Sequence, residues 1–208
     1  MIVEQNVVFH RTPDDLTRSN RNRQKLAPDF GRGFAKRDVS SSPIFQLLQK
    51  HYRAHRDRFT PEAPEPYLLN ADPHAPAALA YRDVRMALIL LKTFQPMHEE
   101  WCGFRLVPTA CYGMRMYMPG AFLYDHVDRE ETHIISSTLC IAHDLDESWP
   151  LSIEDGEGQP AEINLNPGEL VLYESARLMH GRPYELEGRY YVAQFIHYKP
   201  FAEAAALA

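Results

Sequence analysis

His126 and Asp128 stand two residues apart at the end of a stretch, Tyr112 to Asp128, that reads YGMRMYMPGAFLYDHVD. Side chains two apart on an extended segment point the same way, so an imidazole and a carboxylate at this spacing can reach one metal ion. A second imidazole would complete a two-histidine, one-carboxylate face, a donor set that suits Fe(II) and leaves coordination positions open opposite it. His180 is the candidate, because it lies between a short strand-like segment, Leu170 to Tyr173, and a long one, Arg189 to Tyr198. With ten histidines in the chain, one His-x-Asp is weak by itself, the ordinary alternative being a hydrogen-bonded core or surface histidine. The context of the motif has to decide.

That context is a change of period. From Leu106 onward apolar residues alternate, giving candidate strands at Thr109–Met118, Phe122–His126, Ile134–Ala142, Leu151–Ile153, Ala161–Leu165, Glu169–Tyr173 and Arg189–Tyr198. Turns are expected at Asp155-Gly156-Glu157-Gly158 and Asn166-Pro167-Gly168. Short, evenly spaced strands predict a closed or double-sheet β fold, a jelly roll of the cupin type. Ahead of them, Ile2 to His10 alternates weakly and reads as an edge strand, and Arg11 to Asp38 shows no period and reads as a loop, a candidate lid. Ser40-Ser41-Ser42-Pro43 starts a helix whose apolar face is Ile44, Phe45, Leu47, Leu48 and Tyr52, ending near Arg58. The proline-rich stretch Thr60 to Pro76 reads as a connector that no helix crosses. A second helix is expected from about Ala78, kinked or divided at Pro96 and stopped by Gly103. The fold class predicted is mainly β with flanking helices around a jelly-roll core. It forms one domain over 1–208, with strand, loop and supporting helices in 1–105 and the barrel with the metal site in 106–200.

Composition bounds the function. The chain has 208 residues and 24.0 kDa, 45% hydrophobic and 24% charged, which suits a soluble globular domain with a sizeable core. No apolar run is long enough for a membrane helix, MALILL at Met86–Leu91 being far too short, so no membrane association is expected. The N-terminus shows no basic segment followed by an apolar core, and Cys102, Cys111 and Cys140 form no Cys-x-x-Cys pair. Reduced thiols in a cytoplasmic protein are the expectation. From His10 to Arg58 twelve Lys or Arg face five Asp or Glu, against a net charge of −6 for the whole chain. Aromatic residues do not alternate with these cations as a stacking platform requires, so a solvated face is read there and no nucleic-acid partner is expected. His51 and His55 lie one helical turn apart but lack a third ligand type.

Taken together, Tyr117-x-Pro119-Gly120, His126-x-Asp128, Pro167-Gly168-Glu169, His180-Gly181-Arg182-Pro183 and Gly188-Arg189 resemble the Fe(II)- and 2-oxoglutarate-dependent dioxygenases, within them the prolyl 4-hydroxylase-like branch. The resemblance covers about the C-terminal half. It implies a double-stranded β-helix with His126, Asp128 and His180 as metal ligands and catalytic centre. It also implies Fe(II), 2-oxoglutarate and dioxygen, with ascorbate as an accessory reductant. The implied reaction is decarboxylation of 2-oxoglutarate to succinate and CO2 coupled to hydroxylation of an unactivated C–H bond. The substrate would be a prolyl or other residue of a peptide or protein, or a free amino acid or similar small molecule. Because Asp128 is present where halogenating members lack the carboxylate, hydroxylation is the favoured outcome.

The cosubstrate's far carboxylate needs a buried cation, and a guanidinium can hold it bidentately. Arg189 is the candidate, with Tyr117 lining the cosubstrate pocket and Thr138 as a donor. Arg115, Arg182 and Trp149 are candidate substrate contacts. Their plainer alternatives are an acidic partner for Arg115, a turn cap for Arg182 and core packing for Trp149. The chain departs from the branch where substrate and cosubstrate are held. Tyr190 stands where the prolyl 4-hydroxylases usually carry a lysine, Leu123 where they carry a second tyrosine, and Glu147-Ser148-Trp149-Pro150-Leu151 in place of a Gly-Gly-x-Thr stretch. Two further classes stay open: a zinc hydrolase on the same ligands, with Glu174 the nearest base, and a non-enzymatic metal-binding barrel.

Overall fold

The alternation that begins at Leu106 has its counterpart, in the computed structural model, in two facing antiparallel sheets; residues 13–155 and 157–201 are described. Among these, the larger sheet runs β1 (Phe34–Asp38), β11 (Glu169–Tyr173), β8 (Ile135–Leu145), β13 (Gly188–Pro200), β6 (Met114–Tyr117), β4 (Ala78–Tyr81) and β2 (Thr60–Pro61), with β5 (Leu106–Ala110) also paired to β13. The smaller runs β10 (Pro160–Ile163), β9 (Leu151–Glu154), β12 (His180–Arg182), β7 (Ala121–His126) and β3 (Leu68–Asn70). The fold is mainly β with flanking helices, a double-stranded β-helix.

Period two sorts the larger sheet into two buried faces. On β13, Val192, Ile196 and Tyr198 face the helices while Tyr191 and Ala193 face the other sheet. On β11 the same division separates Leu170 and Leu172 from Val171 and Tyr173. The helical side is covered by α2 (Pro43–His55) and α3 (Val84–Cys102), which contribute Phe45, Leu48 and Tyr52, and Met86, Leu90 and Phe94. Each such fully buried side chain stabilises the fold by about 1.5–3 kcal/mol. Ser42 caps α2, its hydroxyl accepting from the Phe45 N–H at 3.3 Å.

Several expectations need correction. The segment read as an aperiodic loop contains α1 (Pro13–Leu26) and β1. Ala78–Tyr81 is strand β4, paired to β6, because the helix cannot start before its cap: Asp83 accepts from the N–H groups of Arg85 and Met86 at 2.9 and 3.1 Å. α3 then runs through Pro96 undivided and stops at Gly103, which adopts φ 83°. Thr60–Pro76 holds no helix, as expected, but supplies β2 and β3. Thr109–Met118 is not one strand, and β12 had no alternation long enough to announce it. The expected strand Ile2–His10, Gly156 and the alanine-rich tail from Ala202 lie outside the described residues.

Candidate metal centre

β7 and β12 lie side by side, antiparallel, with His126 opposite His180 and a register shift before the Leu123–Arg182 pair. Gly181 makes that approach possible: a Cβ there would lie 2.6 Å from Asp125 Oδ1 and 2.7 Å from the Leu123 carbonyl oxygen. The two imidazole centroids are 4.5 Å apart. Asp128 Oδ1 is 3.9 Å from His126 Nε2 and 3.9 Å from His180 Nε2, and the three ligand atoms all lie within 4.8 Å of one another. Among the described residues this is the group of His, Cys, Asp and Glu side chains placed to hold an ion.

The donor set fits a divalent metal in its proton positions as well. His126 Nδ1 is 2.9 Å from the Tyr124 carbonyl oxygen and His180 Nδ1 is 2.8 Å from that of Leu178. A carbonyl only accepts, so each Nδ1 carries the hydrogen and each Nε2 presents its lone pair to the centre. Burial pushes both imidazoles down to about 4, helped at His126 by the neighbouring His180, so both stay neutral near pH 7.

Beside the triad the barrel interior is largely aromatic, and Arg182 is a buried cation within it. Arg182 follows His180 by two residues on β12 and is 3% exposed. Its guanidinium carbon lies 4.5 Å from the Trp149 ring and 4.3 Å from the Tyr191 ring, and it donates to the Trp149 carbonyl. No carboxylate among the described residues pairs with it. Tyr191 Oη is buried beside Arg182 and Cys140, with no well-formed hydrogen bond among the described residues. Tyr117 is 1% exposed and packs edge-on against Trp149 at 5.0 Å. Thr138 is buried on β8, opposite Phe195 of β13.

Arg189 is not brought to this interior. The β13–β8 pairing steps from Gly188↔Leu145 to Tyr190↔Asp144, so Arg189 is the extra residue of a bulge. Its side chain leaves the barrel and pairs with Asp144 and with Asp146, the latter at 3.0 Å. On β13 the inward-facing alternation therefore begins at Tyr191 and continues through Ala193, leaving Arg189 outside it.

On the outer side a cavity of about 650 Å³ opens against Asp128, walled by Arg23 and Leu26 of α1, by the Arg129–Thr132 loop and by Ala176. Arg115, 5.8 Å from the Tyr117 ring and 5.5 Å from the Phe195 ring, is already paired: Glu62 accepts from it at 2.6 and 3.1 Å and Glu65 at 3.3 Å. Tyr67 stacks on His126 at 5.3 Å. Sequence reasoning missed His197, whose Nδ1 is 4.0 Å from Asp128 Oδ2 and 2.8 Å from Ser136 Oγ, with the His133 ring 3.8 Å away. The strand alternation that places His197 on the inner face with Ala193 was the available signal. Glu174 is not a free base beside the centre: its carboxylate accepts from the N–H groups of Phe30, Arg32 and Gly33 at 2.8, 3.1 and 2.9 Å.

Sequence comparison matches no family model and no curated protein. Solved structures do match. A 2OG-Fe(II) oxygenase-family oxidoreductase from Burkholderia pseudomallei superposes with TM-score 0.59 at 10% identity, over 91% of this chain and 91% of that one. A Trichoplax adhaerens prolyl hydroxylase, in complex with a hypoxia-inducible-factor oxygen-degradation-domain peptide, gives 0.55 at 13%, over 92% and 96%. HygX from Streptomyces hygroscopicus, with nickel, 2-oxoglutarate and hygromycin B bound, gives 0.52 at 14%, over 90% and 88%. The chain therefore shares its fold with these oxygenase structures.

Proposed function

We propose that this protein is an Fe(II)- and 2-oxoglutarate-dependent hydroxylase. The observation that carries the reading is the pairing of two features: the His126, Asp128 and His180 ligand atoms converge, and a buried guanidinium without a carboxylate partner lies two residues along the same strand face. Two residues of strand span about 6.6 Å, a separation suited to a short diacid with one end at a metal and the other at Arg182. An unpaired buried cation costs several kcal/mol, and a ligand carboxylate would offset that cost. Arg182 thus takes the role first expected of Arg189, with Tyr191 Oη as a second donor and Tyr117, Trp149 and Thr138 as walls.

Bound iron would supply the activation of dioxygen that 2-oxoglutarate decarboxylation drives. The chain's own residues keep both imidazoles neutral, aim their Nε2 atoms and line the cosubstrate chamber with aromatic rings that exclude water. The substrate would enter from the Asp128 side. A prolyl or other amino-acid residue of a peptide is the first reading, and the metabolite-sized cavity walled by α1 favours a free amino acid or similar small molecule as the second. The free thiols Cys102, Cys111 and Cys140 suit a reducing, cytoplasmic setting. The hydrolase alternative loses support because Glu174, its nearest base, is held by three backbone amides.

The test is succinate formation with Fe(II), 2-oxoglutarate and dioxygen across a panel of peptides and free amino acids, with mass spectrometry for a gain of one oxygen. Failure of 2-oxoglutarate to bind the metal-loaded protein in a thermal-shift titration would end the proposal.

A further inference from the structure

The carboxylate ligand sits just past the end of a strand. β7 stops at His126, where its register with β12 also stops, yet Val127 is 2% exposed. Buried peptide groups beyond a ladder need other partners. The Asp128 N–H donates to the Ser175 carbonyl at 2.9 Å. The Val127 N–H and the Asp128 carbonyl are met by α1. Asn20, 0% exposed, accepts from the Val127 N–H at 3.1 Å through Oδ1, while its Nδ2 donates to the Leu16 carbonyl at 2.9 Å and so fixes which way the amide faces. Arg23, one turn later, donates from Nη2 to the Asp128 carbonyl at 2.5 Å and from Nη1 to Asn20 Oδ1 at 3.5 Å. The pair therefore holds the backbone groups on either side of the Val127–Asp128 peptide bond, whose own N–H goes to Ser175.

We propose that α1 is the positioning element of the carboxylate ligand, with Asn20 and Arg23 fixing the backbone that aims Asp128 at His126 and His180. The inference rests on the metal-centre reading above. α1 does little else that a helix usually does: its sequence PDDLTRSNRNRQKL buries only Leu16 and Asn20 among its described side chains. It also makes polar contacts with distant parts of the chain, Arg21 and Gln24 holding Glu154 and the Gln24 carbonyl accepting from Arg177. Those contacts fasten the helix to β9 and to the turn before β12, on either side of the triad.

The probe is Co(II), titrated into the metal-free protein and followed by its d–d absorption, with thermal unfolding of each metal-free variant measured alongside. Arg23→Met and Asn20→Ala are expected to weaken Co(II) binding about tenfold or more, as loss of a group that orients a ligand commonly does, and to change the band shape. Arg23→Lys keeps a donor for the Asp128 carbonyl and should bind Co(II) clearly better than Arg23→Met. If Asn20→Ala does not fold, the half-exposed Arg23 still decides. Folded variants with lowered thermal midpoints but parental Co(II) affinity and spectrum would overturn the inference, because α1 would then be only a structural clamp. A parent protein that takes up no Co(II) would instead overturn the metal-centre reading, and the inference with it.

Discussion

His126 and His180 face each other across the β7–β12 ladder, and each commits its Nδ1 to the carbonyl two residues before it. The symmetry has a consequence: neither ring can flip without losing that hydrogen bond, so both Nε2 atoms are held ready for an ion. Replacing His180 with alanine removes one of three donors and leaves the β12 backbone in place. His180→Ala should stay folded, lose measurable Fe(II) after dialysis and form no succinate. Metal content equal to the parent's would place the third ligand elsewhere.

Gly181 is predicted to be as sensitive as the ligand beside it. A methyl group at this position would meet the Leu123 carbonyl oxygen at 2.7 Å and the Asp125 amide nitrogen at 2.9 Å, both backbone atoms that cannot swing aside. β12 would have to move off β7, at a cost of about 1–3 kcal/mol for overpacking. Gly181→Ala should therefore lower the denaturant midpoint of the metal-free protein and weaken metal binding in the same variant. A normal midpoint with normal metal affinity would show that the ladder tolerates the extra group.

The triad was legible in the sequence because it depends on residue type and a two-residue spacing, and a strand honours that spacing. The sheets were legible for the same reason, since alternation in β8, β11 and β13 is the physical sorting of their two faces. Arg189 was misplaced because a bulge adds one residue to one strand, and nothing in the alternation of Tyr190, Tyr191 and Val192 announces it. β12 is too short to alternate. α1 escaped because a search for apolar period cannot see a helix held mainly by polar side chains on backbone groups; Pro13, Asp14 and Asp15 at its start and Arg23 and Lys25 at its end were the signals to weigh.

Acid sensitivity should come in part from His98, far from any ligand role. It is 0% exposed on α3, with Nδ1 on the Phe94 carbonyl at 2.8 Å and its ring 4.5 Å from that of Tyr198. Burial pushes its imidazole from 6.5 down to about 4. The unfolded chain therefore binds the extra proton first: the stability is complete above about pH 6.5 and falls as pH drops toward 4, by about 1.4 kcal/mol for each unit of the window. His98→Phe should flatten the fall in denaturant midpoint between pH 6.5 and 4. An unchanged pH slope would mean that His98 is protonated in the folded protein without penalty.

The two arginines near the end of the barrel should separate cleanly. Arg182 is buried between Trp149 and Tyr191 with no carboxylate partner, whereas Arg189 is exposed and already paired with Asp144 and Asp146. If the far carboxylate of 2-oxoglutarate seats on Arg182, then Arg182→Met keeps much of the volume between the rings and leaves that carboxylate buried without its cation. Truncating one partner of such a buried charge pair costs about 2–5 kcal/mol, which corresponds to a KM for 2-oxoglutarate raised by roughly thirtyfold or more. Metal affinity should change little, because Arg182 touches none of the three ligands' Nε2 or carboxylate atoms. Arg189→Met removes only a solvent-facing ion pair and should leave the KM near the parent's. The reverse pattern, a large KM effect at Arg189 and none at Arg182, would mean that the bulge on β13 closes when the cosubstrate binds and that Arg189 turns inward to meet it.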